Sequence, residues 1–281
     1  MIKNFSTFLI ITLTYVGMPC IADASLVASY LFKGNLNNDF SGYEMTAVDG
    51  TAGSGAPMNA FNPVNYSQTT IFDQTRDYLS ITDHQGLNID VSALTSKTNY
   101  TIIMDVKSSS IASYNKLISL DGGTTDNGVY FHNSTVTFYP LGGGTDTFSA
   151  NQWIRVALTY DGSTMNLFYG DDNDFTLANT GGTNAYYTLA NTIQLLKDDS
   201  ATGYGENDPI DIAGIWIYDE EKSLTEFDPA ENPIVSAIPE PSAMILLMLG
   251  GSFFVFYRGR IVPPRHTPQK KRFNKFYAYT L

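Results

Sequence analysis

Apolar and polar residues alternate along most of this chain in short bursts with a period of two. In Tyr100 to Val106, the residues Tyr100, Ile102, Met104 and Val106 share one face, while Thr101, Ile103 and Asp105 share the other. The same strand character marks Ser25–Phe32, Asp77–Thr82, Lys116–Asp121, Gly128–His132, Thr135–Tyr139, Trp153–Tyr160, Met165–Tyr169, Thr192–Leu196 and Ile210–Tyr218, all rich in β-branched and aromatic residues. Gly, Asn, Asp and Ser clusters separate these segments. Asp161-Gly162 is placed to turn a hairpin, because glycine accepts the positive φ that such turns need. Many short strands with almost no helical periodicity predict an all-β fold, a jelly-roll β-sandwich.

Two uncharged stretches break the alternation, one at each end. Met1-Ile2-Lys3, the apolar run Phe8 to Met18 and Ala22-Asp23-Ala24 have the layout of a signal peptide over residues 1–24, cleaved after Ala24. Cys20, the only cysteine, would leave with it. The mature chain would then hold no thiol, disulfide or cysteine metal site. At the other end, Ile238-Pro239-Glu240-Pro241-Ser242 leads into an uncharged segment ending at Tyr257, followed by Arg258-Gly259-Arg260. Residues 242–257 predict a transmembrane helix of roughly 24 Å, short of the ~30 Å hydrocarbon core, with flanking side chains snorkelling to close the gap. Seven basic residues and no acidic one follow Glu240, which places residues 261–281 in the cytoplasm as a basic tail.

This arrangement resembles the PEP-CTERM sorting signal of Gram-negative bacteria. The resemblance covers residues 239–260, with Pro239, Glu240, Pro241 and Ser242 as the sorting motif and Arg258 and Arg260 as the membrane-flanking basic residues. It implies an exosortase-type processing enzyme, an inner-membrane intermediate and delivery to the cell envelope or extracellular matrix. A permanent tail anchor is the alternative. The tail 261–281 runs past the point where the pattern ordinarily stops.

Between the signals, residues 25–238 carry 8 Lys/Arg against 26 Asp/Glu, a net charge of −18. A surface this acidic repels nucleic acid and anionic lipid. Residues 25–228 are enough for one packed core, and Asp228-Pro229-Ala230-Glu231-Asn232-Pro233 opens a stiff polar linker over residues 229–238.

Three segments carry a second resemblance. The hairpin Asn151-Gln152-Trp153-Ile154-Arg155-Val156-Ala157-Leu158-Thr159-Tyr160-Asp161-Gly162-Ser163 through Tyr169, the closing segment Ile210 to Tyr218 with Leu224 to Phe227, and the opening Leu26 to Phe32 with Leu36 to Gly42 are similar to the LamG-like, concanavalin A-like lectin/glucanase superfamily. The resemblance implies a jelly roll and either a binding module or a glucanase. Glucanases of the superfamily carry paired glutamates on one strand. The matching stretch here, Pro209-Ile210-Asp211-Ile212-Ala213, has no ionisable group at either glutamate position, so no catalytic residue is assigned and the chain is expected not to be an enzyme. Glu220 and Glu221 are adjacent, and His84 and His132 have no third partner.

The resemblance also implies Ca²⁺ at a loop rim, bound by hard oxygen ligands. The candidate metal ligands are Asp121, Asp126, Asp198 and Asp199, in two acidic loops flanked by strands, and Asp171-Asp172-Asn173-Asp174 is a third cluster. Solvated turns in which these residues cap backbone groups are the alternative. Tyr130, Tyr139, Tyr186 and Tyr187 are candidate sugar contacts, though no glycan-binding residue is assigned, and Trp153 and Trp216 are placed in the core. The function expected is a secreted, envelope-sorted carbohydrate-binding or exopolysaccharide-matrix protein. The alternatives are a structural surface adhesin and an atypical glycoside hydrolase.

Overall fold

The computed structural model describes residues 25–38, 43–49, 65–82, 85–171, 175–199, 206 and 208–227. The expected leader, linker, sorting motif, transmembrane helix 242–257 and basic tail lie outside the described residues, as does His84. Among the described residues no helix is long and apolar enough to cross a membrane.

The strands are β1 (Leu26–Tyr30), β2 (Met45–Asp49), β3 (Tyr66–Ile71), β4 (Gln74–Ile81), β5 (Gln85–Asp90), β6 (Tyr100–Ser108), β7 (Asn115–Ser119), β8 (Gly128–His132), β9 (Thr135–Tyr139), β10 (Gly142–Gly143), β11 (Ile154–Tyr160), β12 (Met165–Gly170), β13 (Phe175–Gly181), β14 (Thr192–Leu195) and β15 (Ile210–Tyr218). A 3-10 turn at Ala185–Tyr187 and the one-turn helix α1 (Leu224–Phe227) complete the described elements. Two antiparallel sheets form. One has the order β13-β12-β11-β6-β15-β4-β3, with β1 also on β15; the other has the order β10-β9-β8-β7-β14-β5-β2. The expected β-sandwich is present.

The alternation anticipated for β6 holds. Tyr100, Ile102, Met104 and Val106 enter the core between the sheets with Ile154, Val156 and Leu158 of β11 and with Leu87, Leu117, Phe131, Phe138 and Leu195 of the facing sheet. The other face of β6 is covered too. Ile103 joins Ala157, Phe168, Phe175, Trp216 and Tyr218 in a second cluster on the outward side of the eight-stranded sheet. Trp216 is thus buried, but outside the inter-sheet core.

β15 organises that outward side. Its C-terminal half pairs with β1 and its N-terminal half with β4, and its register on β6 shifts between Ile212 and Gly214. Arg76 of β4 crosses the shift, donating to the Ala213 carbonyl at 3.1 Å and pairing with Asp105, which also takes two hydrogen bonds from Arg155. Burial acts to raise the Asp105 carboxyl, but the two guanidinium groups outweigh it and hold it below the usual range. Both guanidinium groups also lie over the Trp216 indole, at 5.1 and 5.6 Å from its centroid. Gly214 must be glycine, because a Cβ there would press on the Arg76 guanidinium and the Trp216 ring. The hairpin turn expected at Asp161-Gly162 is present: Gly162 has φ +90, and Asp161 Oδ1 accepts from the Ser163 and Thr164 amides at 2.7 and 2.6 Å.

Candidate functional site

The loop between β7 and β8 turns through Gly122 and Gly123, both at positive φ (75 and 79). Asp121 holds that turn together. Its Oδ1 accepts from the Ser119 hydroxyl at 2.8 Å and the Gly123 and Thr124 amides at 3.2 and 3.1 Å, while its Oδ2 accepts from the Thr125 hydroxyl at 2.6 Å. Burial alone would raise this carboxyl, but the hydrogen bonds from Thr125, Ser119 and Thr124 prevail and lower it. Asp126 instead faces the sheet. The Tyr130 hydroxyl donates to its carbonyl at 2.8 Å and to its Oδ1 at 2.9 Å.

The second acidic loop follows β14. Leu196, at positive φ (57), ties the chain back to β7 by donating to the Leu117 carbonyl at 3.0 Å. Asp198 and Asp199 are then fully buried. Asp198 accepts from the Asp199 amide at 2.8 Å and from the Glu206 amide at 3.0 Å, and the Lys116 amide of β7 donates to the Glu206 carbonyl at 2.9 Å, so Glu206 is tied to both Asp198 and Lys116. The Lys116 ammonium pairs with Asp199, donates to the Thr125 carbonyl at 3.1 Å and lies 5.1 Å from the Tyr130 ring centroid.

These contacts bring Asp126, Asp198 and Asp199 together, with one carboxylate oxygen from each lying within 4.8 Å of the others. Asp121 stays with its own turn and is not in this group. A cation with oxygen ligands at about 2.3–2.6 Å spans roughly 5 Å between opposite ligands, so the separation fits one shared ion. Lys116 supplies a single positive charge against three carboxylates. Glu206 adds a fourth: burial, with the charges of Asp198 and Asp126, raises it to about 7, and its Oε2 is buried without a hydrogen-bond partner among the described residues. Charge deficit, spacing and an unpaired oxygen all suit a divalent cation with hard-ligand preference.

An aromatic strip adjoins this rim on the outward face of the seven-stranded sheet. In β8, Val129 and Phe131 enter the core while Tyr130 and His132 turn outward; in β9, Val136 and Phe138 enter while Tyr139 turns outward and is 37% exposed. Tyr114 stacks on His132 with centroids 3.8 Å apart and planes within 7°, and meets Tyr130 and Tyr139 edge-on at 5.6 and 5.9 Å. Of the other tyrosines considered, Tyr187 belongs to the core against Phe138 and Tyr160, and Tyr186 is exposed on the 3-10 turn. Trp153 departs from its expected core position. It stands one residue before β11, is half-buried, and meets Tyr78 edge-on at 5.7 Å.

Asp211 lies on the opposite, eight-stranded sheet, 2.8 Å from Lys107 Nζ. Glu221 accepts from the Thr159 hydroxyl and the Asn166 amide. Asp171 accepts from Gln152 at 2.7 Å, and the rest of its cluster, 172–174, lies outside the described residues.

No protein-family model matches the chain, and no curated protein matches it. Solved structures similar to it include domain 4 of AbnA, a GH43 extracellular arabinanase from Geobacillus stearothermophilus, in complex with arabinotriose. That likeness has 16% identity and a TM-score of 0.47, over 71% of this chain and 95% of the other. The binding domain of botulinum neurotoxin DC in complex with SialylT has 12% identity and a TM-score of 0.48, over 75% of this chain and 51% of the other. The binding domain of botulinum neurotoxin serotype C1 has 12% identity and a TM-score of 0.48, over 76% and 53%. This chain therefore spans about half the length of the toxin chains. Likenesses this distant carry no argument about ligand or mechanism.

Proposed function

We propose that this chain is an exported, non-catalytic LamG-like protein that binds an extracellular polysaccharide on the outward face of its seven-stranded sheet, with one Ca²⁺ held at the rim by Asp126, Asp198 and Asp199. The observation that carries the proposal is the joining of two features through Tyr130. Its hydroxyl holds Asp126 in the carboxylate group, and its ring packs in the strip with Tyr114 and Tyr139. Sugar polymers present alternating C–H faces and hydroxyls; the half-buried Tyr114 and the exposed Tyr139 offer ring surface for the first and the half-buried Asp126 an acceptor for the second, while the fully buried Tyr130, Asp198 and Asp199 hold them in place. The bound ion would neutralise the rim and tie the two loops to each other.

Burial of Asp198 and Asp199 favours a structural use for them, since a catalytic carboxylate must reach the glycosidic bond. The leader and the PEP-CTERM-like signal support export, processing by an exosortase-type enzyme and residence in the envelope matrix, with membrane association only before processing. Affinity electrophoresis of the full chain through gels containing a panel of polysaccharides tests the binding. At least one polysaccharide should retard the protein, and Tyr139→Ala or a chelator should release it. Migration unaffected by every polysaccharide would overturn the proposal.

A further inference from the structure

The opposite face of the sandwich carries an aromatic pair that the core does not use. Trp153 and Tyr78 belong to neither hydrophobic cluster. They are cut off from the Trp216 cluster by the Arg76–Asp105–Arg155 ion group, which takes the next position along β4, β6 and β11. Both rings are half-buried, they meet at 70°, and they share the Lys107 ammonium, 5.1 Å from the indole centroid and 5.5 Å from the phenol centroid. Lys107 in turn pairs with Asp211, whose other carboxylate oxygen accepts from the Ser80 hydroxyl at 2.6 Å. Ser80, Asp211 and Lys107 are paired in register across β4, β15 and β6, and Trp153 precedes Ile154, the partner of Val106 on β6.

An indole that adds nothing to a core leaves apolar ring surface in contact with water, beside a carboxylate, an ammonium and a hydroxyl. Large aromatics in such settings serve as contact anchors. The polar groups beside them can accept from and donate to neighbouring hydroxyls of one sugar residue, while the ring takes its C–H face. We propose that Trp153, Tyr78, Lys107 and Asp211 form a second polysaccharide site on the eight-stranded sheet. The outward faces of two sheets packed on a common core look in opposite directions. A molecule with a site on each joins two glycan strands, and the protein is then a cross-linker of its matrix. This rests on the reading that the ligand is a polysaccharide, but not on the metal or the Tyr139 strip.

The test titrates the full chain with a soluble oligosaccharide of the polysaccharide that retards it, counts sites by calorimetry, and follows turbidity with the long polymer. Two sites per chain are expected in the unaltered protein. Trp153→Ala should leave one site and abolish turbidity. Tyr139→Ala should do the same through the other site, and the double variant should bind none. Lys107→Gln keeps both rings and should weaken the second site by about tenfold or more, which covers the case in which Trp153→Ala fails to fold. A single site lost with Tyr139→Ala and untouched by Trp153→Ala and Lys107→Gln overturns this inference and leaves the glycan reading standing. Absence of any oligosaccharide or polymer binding overturns both.

Discussion

Lys116 and Asp199 form an ion pair in which neither side chain is exposed to solvent. Two charges withdrawn from water are tolerated only when each keeps its partner, so removing one is more damaging than replacing both. Asp126 and Asp198 crowd the same spot, and Lys116→Met would remove the ammonium that pairs with Asp199 there. The metal-free variant is expected to lose about 3–5 kcal/mol in urea unfolding. Millimolar Ca²⁺ should restore much of that loss. A variant as stable as the original without metal would mean that the carboxylates are not charged together.

Calcium should raise the melting temperature by selective binding to the native state. Asp198→Asn and Asp126→Asn are expected to remove the rise. Asp121→Asn should retain it, because that carboxylate serves the turn of Ser119, Gly123 and Thr124. An equal rise from Mg²⁺, or a rise surviving both ligand substitutions, would instead indicate screening of an acidic surface.

Glu206 sets a pH dependence with a definite sign. Its native pKa, about 7, lies above its ordinary value of 4.5, so the folded state binds this proton more tightly than the unfolded chain. The associated stability is fully present below the ordinary value and is lost as pH rises through the native one. Metal-free protein should therefore melt at a lower temperature at about pH 8 than at about pH 5, with Glu206→Gln flattening the difference. An unchanged slope in Glu206→Gln would assign the effect to another group.

The two tryptophans should behave differently. Trp216 is 2% exposed under two guanidinium groups, and Trp216→Ala is expected to cost about 3–5 kcal/mol. Trp153→Ala, at a half-buried position outside both clusters, should cost about 1 kcal/mol, the centre of the range for point substitutions. Equal losses measured by chemical denaturation would return Trp153 to a packing role.

That difference shows where the chain's pattern is legible. The Tyr100–Val106 alternation identified its inward face, because a core contact every second residue writes itself into the residue types. It did not reveal that the outward face holds a second buried cluster, since Ile103 and Trp216 look alike whether covered by a sheet or by arginines. β3 and β13 were not anticipated: Tyr66-Ser67-Gln68-Thr69-Thr70-Ile71 and the run from Phe175 to Gly181 are edge strands with mostly polar, partly exposed residues. β2, β5 and the two-residue β10 also lie outside the segments that the alternation predicts as strands. At the rim, Asp126, Asp198 and Asp199 were legible as acidic residues in loops between strands. Asp121 looked the same locally, and only its hydrogen bonds separate it. Lys116, Tyr130 and Glu206 have no local signature, because their roles depend on pairings across β7 and β8 and on the contacts of Glu206 with Asp198 and Lys116.

Binding without turnover is tested by incubating the full chain with the polysaccharide that retards it and determining the polymer's size distribution and reducing ends alongside the bound fraction. A substantial bound fraction is expected, with polymer length and reducing-end count unchanged over time. A growing number of reducing ends, or no bound fraction with any polysaccharide, would contradict it.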